Sequence, residues 1–221
     1  MSTLVAVLAL LSAVAVGARW SLRRHDSLGR PRPLPVVTIC LLAIVAGAAG
    51  YVSWRHERLE ARLSQVASVL VGAEVDVQCQ TVGASMVDAG ADLGFVKWGP
   101  DGVPERRTLI KREVCADLRA YLRSPDAAAT EDQVIAVHVL THEAMHMAGE
   151  KTEAVTECMA IQRNAATARL LGASPAAATA LAERYWSQLY PRQRDEYRSR
   201  ECRAAGALDE RLDDAPWRGS A

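Results

Sequence analysis

His142, Glu143 and His146 stand in the run HEAMH, the two histidines four residues apart. On an α-helix that spacing puts both imidazoles on one face, about one turn apart, where they can bind a single zinc ion. Glu143 then falls beside the ion and not on it, placed to take a proton from water. A catalytic zinc site needs a third protein ligand and an open position. Glu150, Glu153 and Glu157 downstream, and Cys115 or Cys79 upstream, are the candidates. His138 precedes His142 by one turn but lies ~12 Å along the helix axis from His146, too far to share the ion. It is expected to be a buried, hydrogen-bonded core histidine.

The motif needs a helix, and the flanking residues supply its ends. Thr130 with Gln133 forms a capping box, Glu131 and Asp132 suit the first turn, and Gly149 stops the helix. A second helix is expected from Thr152 to Gly172, and a third from Ser174-Pro175 to about Leu189, before Tyr190-Pro191. Upstream, Glu74–Val82 alternates as a short strand. Leu93–Trp98 and Val103–Ile110 flank Pro100-Asp101-Gly102 as a β-hairpin, and Lys111–Arg123 has a helical pattern. The expected fold is an α+β domain over residues 73–203, with a poorly ordered tail from 204 to 221.

HEAMH followed by TEAVTE resembles the zincin metallopeptidases, and within them the glutamate-zincin (gluzincin) branch. The resemblance implies a two-helix metal-binding core beside a small sheet, a Zn2+ cofactor and a peptide or protein substrate. It also implies Glu153 as third ligand, Glu157 as the carboxylate holding the His142 imidazole, and Glu143 as the proton acceptor. Only six residues separate His146 from Glu153, a short spacer for that branch. HEAMHMAGEKT is also similar to the metzincin pattern, whose glycine turns the chain back towards a third histidine. Here Thr152 occupies that histidine's place, so Gly149 is expected to reverse the chain and the next helix to present Glu153 in its first turn. Related enzymes place a phenol or imidazole to stabilise the oxyanion; Tyr185, Tyr190 and Tyr197 are available, and the sequence does not choose among them. The resemblance covers residues 130–172.

The chain has 221 residues, with 26 Lys+Arg against 26 Asp+Glu. That balance excludes a strongly basic nucleic-acid binder, and the 50% hydrophobic content excludes a disordered polar chain. Residues 1–18 and 33–54 contain no charged side chain. Leu34–Trp54 has the length of a membrane-spanning helix, and Leu4–Ala18 becomes long enough once its flanks are counted. A cleaved export signal would want a basic leader that the first segment lacks. Residues 1–54 therefore form an expected two-span anchor in the lipid bilayer of the cell membrane, and 55–72, with Leu59, Leu63, Val66 and Leu70 at helical spacing, a helical stalk.

Between the spans, residues 19–33 carry five arginines and one aspartate, so this loop is expected in the cytoplasm and the C-terminal domain outside it. Cys79, Cys115, Cys158 and Cys202 would then meet an oxidising compartment. Two disulfides are expected, and pairing by nearness along the chain joins Cys79 to Cys115 and Cys158 to Cys202. The expected activity is a membrane-anchored zinc metallopeptidase. A catalytically inactive zinc-binding sensor or interaction domain is the alternative, which Glu143 argues against because a structural metal site needs no base.

Overall fold

The computed structural model describes residues 2–81 and 92–218; of the expected first strand, Val82 lies outside them. The chain forms two units, divided after Arg58. The first contains helix α1 (Ser2–Leu22), which carries outward Leu4, Leu8 and Leu11. Helix α2 (Val36–Val71) begins in the same unit with exposed Val37, Leu41 and Ile44. Both helices are long and apolar enough to cross a membrane. The turn between them is held by its own acid: Asp26 Oδ1 accepts the backbone N–H groups of Leu28 and Arg30 at 2.9 and 2.8 Å. Trp20 Nε1 donates to the Arg32 and Pro33 carbonyls.

The second unit starts at Leu59, inside α2. Leu59, Leu63, Val66 and Ala67 belong to its buried core, so these turns are part of the domain and not a separate stalk. They also finish the sheet. Ser64 Oγ and Glu60 Oε1 accept the backbone N–H groups of Val77 and Cys79 at 2.9 and 2.7 Å. Both donors lie on strand β1 (Asp76–Cys79), which would otherwise present them at an open edge. The three-stranded sheet has the order β1-β3-β2. Strand β2 (Gly94–Trp98) and strand β3 (Pro104–Ile110) form the expected antiparallel hairpin with a register shift between Val96 and Trp98, while β1 runs parallel to β3. Gly102 makes the turn at φ +77°, a left-handed conformation that glycine adopts without a steric cost.

Helix α3 (Arg112–Tyr121) follows the sheet and leads to α4 (Glu131–Met147), which is buried on nearly every side from Val134 onward. A helix enclosed in this way is a domain's central element. Its Thr130 capping box is formed, and Gly149 ends it at φ +113°. Helix α5 (Glu153–Leu170) packs against α4, and α6 (Pro175–Arg184) starts on the Ser174 cap. The α-helix stops at Arg184, short of the expected Leu189; Tyr185–Leu189 continues as a wider π-helical turn, which carries the Tyr185 phenol into the interior.

The two disulfides pair as expected, Cys79 with Cys115 and Cys158 with Cys202. Residues 204–218 differ from the poorly ordered tail expected. They are irregular but fastened along α5, because buried Gln162 bonds both the Leu208 carbonyl and the Glu210 N–H. Arg163 pairs with Glu210 and Arg169 with Asp214, and Trp217 packs edge-on to Trp186.

Candidate metal centre

Helix α4 projects His142 and His146 from one face, and Gly149 turns the chain so that α5 begins opposite them with Glu153 in its first turn. The result is a close convergence. His142 Nε2 lies 3.0 Å from His146 Nε2 and 3.1 Å from Glu153 Oε2, and His146 Nε2 lies 3.4 Å from the same oxygen. These three side chains could hold a metal ion.

The partners of the other ring nitrogens decide the protonation. His146 Nδ1 meets the Glu150 carbonyl at 2.8 Å, and His142 Nδ1 meets Glu157 Oε2 at 3.0 Å. A carbonyl and a carboxylate only accept, so each neutral ring carries its proton on Nδ1 and offers a lone pair at Nε2. Two lone pairs and a carboxylate oxygen therefore face one another. Such a set is unfavourable by itself and becomes favourable around a cation. A proton can answer the same demand: burial opposes charge on His142, yet hydrogen bonds to Glu153 and Glu157 outweigh it and raise the imidazole to about 9, the protonated Nε2 then donating to Glu153. Hydrogen bonds to His142 and His146 take Glu153 down to about 2.

A second group, His138 with His142 and Glu157, also has the proximity for a metal ion. Its hydrogen bonding is complete without one. Glu157 Oε2 accepts from His138 Nε2 at 2.9 Å as well as from His142, and Oε1 accepts the Tyr185 hydroxyl at 2.6 Å. His138 Nδ1 in turn accepts from Asn164 Nδ2 at 3.1 Å, and the His138 ring stacks on Tyr185 with centroids 3.6 Å apart. His138 is thus the buried, bonded histidine expected, with a share in holding Glu157. Burial by itself would push the Glu157 carboxyl up, but His138 and His142 hold it well below the usual carboxylate range. Burial and the Glu157 charge push the Tyr185 phenol well above its ordinary value, which keeps it a donor.

Glu143 is buried beside the triad, with Oε2 3.2 Å from Thr108 Oγ1. Burial raises its pKa, against the pull of His142 and His146. Of the other candidate ligands, the Glu150 carboxylate accepts the Thr152 N–H instead, and Cys79 and Cys115 are bonded to each other. A cavity of about 430 Å³ opens over the cluster, with Phe95 and Trp98 of β2 and Arg194 and Tyr197 among its lining. The Tyr197 ring lies 5.8 Å from that of His142, whereas Tyr190 bonds the Ser199 backbone.

Thr108, Asn164 and Gln193, which donates to the Tyr185 hydroxyl at 3.0 Å, were not legible as site residues. Their types are unremarkable in a strand, a helix and a loop, and only the fold joins them to the cluster. Comparison with protein-family models, with curated proteins and with solved structures gave no match.

Proposed function

We propose that this protein is a membrane-anchored zinc metallopeptidase of the zincin type. The observation that carries the reading is the meeting of two Nε2 lone pairs and the Glu153 carboxylate, with Glu143 buried next to them. Donors ~2.0–2.1 Å from a tetrahedral zinc stand about 3.3 Å from one another, close to the separations of this triad. His142, His146 and Glu153 would hold the ion. A zinc ion in such a site lowers the pKa of bound water from ~15.7 towards 7 and polarises a carbonyl oxygen.

The chain's own groups supply the rest. Glu143 accepts the water proton and returns it to the leaving amine; a carboxylate raised by burial suits that two-way transfer. Glu157 fixes the His142 tautomer and ring plane from the far side. Tyr197 is the phenol best placed to meet a developing oxyanion, and Phe95 and Trp98 line the cavity from a strand along which an extended peptide can lie. The arginine-rich turn between the spans and the two disulfides favour a domain on the outer side of the cell membrane.

The test is a Glu143→Gln protein assayed beside the wild type over a broad peptide library, with zinc content measured in both. The reading expects one zinc per chain in each and hydrolysis reduced by roughly 10²–10⁴-fold in the variant. Full zinc loading with no hydrolysis by the wild type would favour a binding or sensor domain instead.

A further inference from the structure

Thr108 sits at the centre of the sheet, paired with Val77 on one side and Val96 on the other, and its side chain is fully buried. The other buried side chains of the three strands, Val77, Cys79, Val96 and Ile110, are apolar. A hydroxyl in such a layer is costly unless it is bonded, and valine would fill nearly the same space without that cost. Here the hydroxyl has two neighbours. Oγ1 lies 3.0 Å from the Phe95 carbonyl oxygen on β2 and 3.2 Å from Glu143 Oε2 on α4. The hydroxyl has one proton: it donates to the Glu143 carboxylate when that group is ionised, and when the carboxyl group is protonated Oγ1 accepts from it and donates to the Phe95 carbonyl. One side chain therefore links the carboxyl group of the helix to the strand that lines the cavity.

Gly94, the residue before Phe95, completes the seat. A Cβ at this position would stand 2.8 Å from both Cγ and Oε1 of Glu143, so the carboxyl group rests directly on the strand backbone. The seat has a floor at Gly94 and a hydrogen-bonding post at Thr108.

We propose that Thr108 is a positioning residue for Glu143, its hydroxyl fixing the carboxyl group relative to β2 at Phe95, an inference that rests on the zinc peptidase reading. Thr108 touches neither metal ligand nor substrate in this role. It acts through Glu143, by restricting the carboxyl group to the orientation from which a proton can be exchanged over the cavity.

The test compares full-length wild type, Thr108→Val and Thr108→Ser. Zinc content is measured first, then the affinity of the zinc-loaded proteins for acetohydroxamate by calorimetry, then kcat and KM on a cleaved peptide. The hydroxamate chelates the metal and shares its proton with a neighbouring carboxylate, so its affinity reads the Glu143 position without turnover. The proposal expects equal zinc in all three, and in Thr108→Val an affinity about tenfold weaker with kcat lower by about 10–100-fold, KM remaining within about twofold. Thr108→Ser, which keeps the hydroxyl and loses a methyl, restores both. A valine variant equal to wild type in affinity and kcat overturns the proposal, and so does a serine variant as impaired as valine, which would indicate packing. A wild type that binds no zinc overturns the metal reading and this inference with it. Hydroxamate affinities in the expected order without any peptide cleavage uphold the placement of Glu143 and overturn the peptidase reading alone.

Discussion

Glu143 is the residue on which burial, charge and space act together. The protein keeps its carboxyl group in a seat too small for any side chain at Gly94. Gly94→Ala is therefore expected to push Glu143 aside while sparing the triad, which is built on α4 and α5. On the proposed peptidase reading, zinc content should stay at the wild-type level and hydrolysis should fall on the order of 10²-fold, the effect of displacing a catalytic group by about an ångström. Loss of zinc together with activity would place the damage in the metal site. At this scale the sequence was informative where chemistry has a fixed spacing. His142, His146 and Glu143 were legible from a helical repeat, and Glu153 and Glu157 from a motif on the next helix. Thr108 was not, because its partner in the site lies 35 residues away and no local pattern connects a buried strand threonine to a helix glutamate.

Elements were legible to the extent that local rules govern their ends. The Thr130 capping box, the Ser174 cap and the glycines at 102 and 149 all act where the sequence placed them, because capping and left-handed backbone are local effects. The last turns of α2, expected as a stalk, are part of the domain, and their sequence does not reveal this for a complementary reason. Their leucines and valines showed an apolar face but not what covers it, and the pairing of Ser64 and Glu60 with β1 is a tertiary event. The tail shows the same limit, since a polar, glycine-containing segment can still be held by a buried Gln162. The corrected boundary has a measurable consequence. A fragment of residues 59–221 is expected to unfold cooperatively on heating, whereas 73–221, lacking Leu59, Leu63, Val66 and Ala67, should fail to fold. Removing a buried leucine side chain costs ~2–5 kcal/mol, and two such losses with the valine approach the ~5–15 kcal/mol that holds a domain together. Equal melting temperatures for the two fragments would restore the stalk.

Across the whole molecule, the zero formal charge divides unevenly. Residues 1–54 hold five arginines and one aspartate, so the remaining residues are net acidic by the same amount. The basic share lies in Arg19 at the end of α1 and four arginines of the turn between α1 and α2, and the acidic share lies mostly in the unit that bears the candidate metal centre, an arrangement consistent with a cytoplasmic turn and an exported domain. A reporter enzyme that works only outside the cytoplasm, fused after Ala221, is expected to be active, and to lose activity when the arginines of residues 19–33 are replaced by glutamine. Activity of a cytoplasm-only reporter at that position would reverse the topology. The function of the molecule turns on what occupies the space between two imidazoles and a carboxylate. Anomalous diffraction at the zinc edge from crystals of the purified domain tests this most directly. One ion is expected within about 2.0–2.2 Å of His142 Nε2, His146 Nε2 and a Glu153 carboxylate oxygen; an ion bound instead by His138 and Glu157, or no ion in protein prepared without chelator, would contradict the zinc peptidase proposal.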